Sequence, residues 1–123
     1  AATAYARAAA PKEAAPLAKV ARDDTVATVR AAAITGLGRS RAYEEMDTLL
    51  AAMNDDDIVV RRRAAESVVL LIGRRYRYDP NGSPAQRLKS IAVIRAFWTK
   101  AKGVAGEYYD TVRKRRRQAA KKD

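Results

Sequence analysis

Apolar positions recur along this chain at the three- and four-residue steps of an α-helix. The clearest stretch sets Ala42, Met46, Leu49, Leu50 and Met53 on one face. Ahead of it, Val26, Val29, Ala33 and Leu37 mark another helix. Asp23 or Asp24 is placed to cap its start, and Gly36 and Gly38 are expected to close it. Behind it, Asn54-Asp55-Asp56-Asp57 makes a turn, and Val60, Ala64, Val68 and Leu71 repeat the face on a helix that ends near Gly73. Leu17, Val20 and Ala21 define a first helix, with Pro11 suited to its start and Pro16 perturbing its opening turns. Residues 1–10 are nearly all Ala and suit a short helix or a loose arm.

Residues 74–83 have turn chemistry and no helical period. Ser83-Pro84-Ala85-Gln86 then has the form of a capping box, opening a fifth helix with Leu88, Ile91, Ile94, Phe97 and Trp98 on its apolar face. Gly103 interrupts. A last helix is expected from about Val104 towards Arg117, with Tyr108, Tyr109 and Val112, running out into a basic tail.

The chain repeats itself at an offset of 31. Val29 falls on Val60, Arg30 on Arg61, Ala33 on Ala64, Gly36 on Ser67 and Leu37 on Val68. An acidic turn precedes both blocks, Asp23-Asp24 and Asp55-Asp56-Asp57. The Asp suits a helix cap, the aliphatic residues suit a core, and the small residues let neighbouring helices approach closely. The pattern resembles the HEAT repeat, in the short bacterial form often called PBS-lyase HEAT-like, over about residues 12–73. The resemblance implies a ladder of Asp and Arg between stacked repeats: Asp24, Arg30, Asp55, Asp56 and Arg61, with Arg30 meeting Asp55 or Asp56. Residues 76–80 and the helix ending in Phe97-Trp98 also look like the closing segment of some bacterial HEAT proteins. Residues 84–118 lack the Asp–Val–Arg pattern and suit a divergent cap. Two good repeats and a cap just meet the roughly three units that such a stack needs.

Composition narrows the chemistry. The 123 residues fit one modest core, and Ala supplies much of the 48% hydrophobic share. There is no Cys and no His. That excludes a Cys or His metal site, a Cys nucleophile, a His general base and a Ser-His-Asp triad. No apolar run approaches the length of a membrane span. The chain begins with Ala rather than Met, as a processed form or a fragment of a longer array would.

The net charge is +11. Residues 100–123 hold nine basic and three acidic residues, against sixteen and eleven before them, so about half the excess lies in the last fifth of the chain. Such a balance favours acidic partners. Arg113, Lys114, Arg115, Arg116 and Arg117 are the sharpest candidates. On a helix they surround most of its circumference, which suits phosphate contact, a hold on an acidic protein surface, or a merely solvated tail. Arg62 and Arg63 would extend a basic face with Arg74, Arg75 and Arg77, or form ordinary charged surface. The turn 54–57 lacks the alternating ligands, glycine and distal Glu of a calcium loop and is assigned as a capping turn. Asn81-Gly82-Ser83 is formally a glycosylation sequon, but a turn with an N-cap accounts for it better. Phe97 and Trp98 are assigned to the core. Glu44, Glu45 and Asp47 have no His or phosphate loop to work with.

The expected fold is therefore all-α: a short solenoid of antiparallel helix hairpins, a divergent C-terminal capping hairpin and a basic tail. Its parts are an arm over 1–11, a helical domain over 12–112 (repeats about 12–38 and 41–73, cap 84–112) and a tail over 113–123. The expected function is a non-catalytic interaction scaffold or small structural subunit, with no cofactor, that binds a protein partner with an acidic surface. The alternative is a nucleic-acid-binding module using the same basic face and tail.

Overall fold

A computed structural model describes residues 14–101 and 118. The described residues are helical, with no strand. Helix α1 is Ala14–Asp23, α2 is Ala27–Arg39, α3 is Met46–Ala52 behind a 3-10 turn at Tyr43–Glu45, and α4 is Ile58–Ile72. Residues 84–101 form α5. The chain divides into two compact units, Ala1–Ile91 and Ala92–Asp123. The first holds α1 to α4 and the opening of α5; the described part of the second is the helical run 92–101 and Gln118. The Ala-rich residues 1–10, the expected helix at 104–117 and the basic tail lie outside the described residues, apart from Gln118.

Helices α1 and α2 pack as one hairpin and α3 and α4 as the next, and the hairpins stack mainly through α2 against α4. The apolar faces explain the arrangement. All five periodic residues of the α3 stretch are buried, as are Val60, Ala64, Val68 and Leu71 of α4. Leu17 and Ala21 of α1 and Ala33, Ile34 and Leu37 of α2 complete the interior. Each buried leucine contributes about 2 kcal/mol, while the alanines let helix axes come close. A polar relay joins α1 to the start of α3: Arg22 donates to Thr48 Oγ1 at 3.1 Å, and Thr48 donates to Glu45 Oε2 at 3.0 Å.

Four expectations need correction. Gly36 and Gly38 do not end α2; both are buried inside it. The helix stops at Arg39, and beyond it the Arg41 and Ala42 amides bond back to the Gly38 and Leu37 carbonyls. This is a Schellman ending in which Arg41, at φ 57°, takes the left-handed position usually given to glycine. Its guanidinium also donates to the Gly38 carbonyl at 2.8 Å. The cap of α2 is Val26, and Asp24 sits in the turn before it, accepting the Val26 amide at 2.9 Å. That placement leaves Val26 half exposed rather than in the core. On α5, Ile91 and Ile94 are buried, but Leu88 and Phe97 are exposed at 53% and 37%, and Trp98 is half-buried. At the far end of α4, Gly73 (φ 74°) supplies the expected left-handed cap.

Candidate functional site

The two acidic turns and the two arginines four residues into α2 and α4 form the polar spine of the first unit. Each turn starts in the same way. Asp24 accepts the Val26 amide, and Asp55 accepts the Asp57 amide at 2.9 Å. Asp57, rather than Asp55, is the N-cap of α4, accepting the Val59 amide at 2.8 Å. Each arginine also reaches back six residues. Arg30 donates Nη1 to the Asp24 carbonyl at 2.9 Å, and Arg61 donates Nη1 to the Asp55 carbonyl at 2.8 Å.

The two rungs then diverge. Arg30 forks onto Asp55, with Nε on Oδ2 and Nη2 on Oδ1, both at 3.0 Å, and both side chains are only 15% exposed. The hydrogen bond to Asp55 raises the Arg30 pKa further, chiefly against the cost of burial, so this guanidinium is charged at any pH the fold meets. Arg61 finds no carboxylate in the next turn. Its Nε donates to the Pro80 carbonyl at 2.9 Å and its Nη1 also to the Asp56 carbonyl at 3.1 Å. Asp56 thus enters the ladder only through its backbone.

The reason lies in residues 73–83. Asp79 makes the same turn as Asp24 and Asp55, accepting the Asn81 amide at 2.8 Å. Five residues lie between Gly73 and Asp79, too few for the first helix of a third hairpin. The non-helical stretch 75–79 takes that connection instead, and the Tyr78 hydroxyl donates to the Met53 carbonyl just beyond α3. The capping box then opens α5 as expected: Ser83 donates its amide to Gln86 Oε1 at 2.9 Å, and Gln86 donates its amide to Ser83 Oγ at 3.2 Å.

One ladder residue escaped sequence reasoning. Arg87 donates Nη1 to the Gly82 carbonyl at 2.7 Å and Nε to Asn54 Oδ1 at 3.0 Å. Its signal is the distance from the cap. Val26 to Arg30, Asp57 to Arg61 and Ser83 to Arg87 are all four residues, whereas the repeat offset of 31 does not reach it.

Burial pushes the Tyr78 phenol above its ordinary 10.0, against the opposing pull of Arg61 and then Arg87. A raised pKa means that folding favours the neutral phenol. Its contribution is complete below pH 10 and is lost as pH rises through the folded value. Tyr78→Phe is accordingly expected to cost about 1 kcal/mol at neutral pH. That deficit shrinks above pH 10, as the wild type ionises. Urea denaturation of both proteins at pH 8 and near pH 11 checks it; an undiminished gap counts against the buried hydroxyl.

The candidate basic residues fall into separate places. Arg62 and Arg63 are exposed near the start of α4, and Arg63 faces Glu66 at 3.5 Å in a solvated pair worth little. Arg74, Arg75 and Arg77 are exposed on the non-helical segment that follows it, which returns to the start of α4 at Tyr78 and Pro80, and the Arg74 guanidinium lies 5.1 Å above the Tyr76 ring. Arg113, Lys114, Arg115, Arg116 and Arg117 lie outside the described residues. The turn 54–57 uses two of its carboxylates on amides and on Arg30, and among the described residues no group of acidic side chains is placed to hold a metal ion. No helix among them is long and apolar enough to cross a membrane.

Helix hairpins stacked through equivalent helices, with a repeated Asp turn and an arginine four residues into each second helix, define an α-solenoid repeat protein. The model for HEAT repeats matches residues 1–92, and the chain belongs to that family. HEAT repeats are in general a non-catalytic scaffold fold for protein interaction. No curated protein and no solved structure matches the chain.

Proposed function

We propose that this protein is an interaction scaffold or small structural subunit of a larger assembly, binding an acidic protein partner. The observation that supports the reading most is the exposure of Arg74, Arg75 and Arg77 together on the segment after α4. The segment leaves a hairpin stack packed through α2 against α4, and a preformed support of that kind lowers the ordering cost of binding. Arg113, Lys114, Arg115, Arg116 and Arg117 add a second cluster of the same sign to the chain. Arg62 and Arg63 contribute less, because Glu66 offsets one of them.

The test is fluorescence anisotropy of a labelled peptide of alternating Asp and Glu, with single- and double-stranded DNA as competing probes. The full chain is expected to bind the peptide. Charge reversal at Arg74, Arg75 and Arg77 should weaken it about tenfold or more, while leaving the melting curve unchanged. Substituting Gln at positions 113–117 measures the tail separately. DNA binding that falls by orders of magnitude between about 50 and 200 mM salt, without peptide binding, would overturn the reading in favour of a nucleic-acid module.

A further inference from the structure

The two ladder arginines around the third turn are unlike the first. Arg30 spends all three guanidinium nitrogens, two of them on the Asp55 carboxylate. Arg61 and Arg87 clamp the same pair of turns: Arg61 ties residues 55 and 56 to Pro80, and Arg87 ties Asn54 to Gly82. All their acceptors are neutral carbonyl or amide oxygens. Among the described residues neither forms an ion pair, and neither donates from Nη2. Both side chains are half-buried, where a guanidinium is less screened than on open surface.

The origin of the difference is a change in the repeat itself. Arg61 is the counterpart of Arg30, but two further residues separate Asp79 from its cap, Ser83, compared with Asp55 and Asp57. A backbone carbonyl, that of Pro80, now stands where Arg30 meets a carboxylate. We infer that Arg61 and Arg87 form a recognition site for a carboxylate supplied in trans, an Asp or Glu side chain of a protein partner that accepts from the Nη2 donors these two arginines leave unused.

The surroundings select that class of ligand. Asp55, Asp57 and Asp79 lie on the same two turns, each bonded to a turn amide, and Asp56 is exposed beside them. Four carboxylates keep the potential here from being strongly positive, so an extended polyphosphate is not drawn to it. A single carboxylate making direct charged hydrogen bonds to guanidinium donors gains its energy at short range and tolerates those neighbours. This site rests on the scaffold reading above and gives it a second contact point, distinct from Arg74, Arg75 and Arg77.

The test is an NMR titration of the full isotope-labelled chain with an acetylated, amidated peptide of alternating Asp and Glu. A peptide with Asn and Gln at those positions serves as the control. The expected result is a saturable shift of the Arg61 and Arg87 Nε–H signals and of the amides of residues 81 and 82, caused by the acidic peptide alone. Arg87→Lys, which keeps the charge but loses the fork, should weaken that local response about tenfold. If only the signals of 74–77 or 113–117 move, the carboxylate site is overturned and the scaffold reading stands. If no signal moves, both fall.

Discussion

Replacing Gly38 by alanine lowers stability by about 2 kcal/mol, against the helix-propensity gain of about 1 kcal/mol that the same change brings at an exposed site. A β-carbon at Gly38 would lie 2.4 Å from Ser67 Oγ, 2.7 Å from Ser67 Cβ and 3.0 Å from Ser67 Cα. The hydroxyl can rotate, but Cβ and Cα move only with the helix. Separating α2 from α4 strains the largest helix contact in the first unit and the buried bond from Ser67 Oγ to the Ile34 carbonyl, 3.0 Å long. Thermal unfolding should fall by roughly 10 °C for such a loss in a domain of this size. Ser67→Gly in the Gly38→Ala background should recover part of it, since it removes two of the three clashing atoms. A neutral or stabilising Gly38→Ala would mean that the helices are not in contact there.

The same glycine shows where sequence stopped being informative. A glycine near the end of a helical period has two readings, a left-handed cap or a point of close approach, and both leave the same one-letter trace. At Gly73 the cap was right. At Gly36 and Gly38 it was not, because Arg41 carries the left-handed turn and stabilises it by donating to the Gly38 carbonyl. The offset of 31 aligned Gly36 with Ser67 as equivalents. The residue that touches Ser67 is Gly38, a matter of helix crossing rather than of alignment.

Elsewhere the pattern was fully legible. The α3 and α4 faces are pure helical period, and every residue on them is buried. Val26 failed because it falls at a cap, where the backbone leaves the helix and the period no longer fixes the side chain. Phe97 failed because the stripe through Ile91 and Ile94 turns towards Trp98 instead. Arg87 was invisible for another reason. The repeat was sought at one fixed offset, while the physical constraint runs from cap to arginine, and only that distance survives the shortened third connection. The family followed from the internal repeat, and the helical class from the period. The partner did not, because a charge count says nothing about which cations the fold has already used.

That distinction is sharpest at Asp55, where alanine is expected to cost about 3 kcal/mol, the largest loss for any single ladder residue. The carboxylate takes both prongs of Arg30 and the Asp57 amide, so its removal opens the turn before α4 and strands a guanidinium that is only 15% exposed. Arg61→Ala removes three bonds to neutral carbonyls and leaves no buried charge behind, so it should cost about half as much. Asp55→Asn should fall between alanine and wild type, since Oδ1 can still accept the Asp57 amide. In a double-mutant cycle, Arg30→Ala and Asp55→Ala should be coupled by at least about 1.5 kcal/mol, and that coupling should change little with salt because the pair is shielded from solvent. Urea denaturation of the four proteins at low and high salt measures it. A coupling under about 0.5 kcal/mol, of the size found for exposed pairs, would mean that packing of α2 on α4 alone joins the hairpins. The carboxylate that Arg61 lacks would then have no stabilising counterpart to imitate.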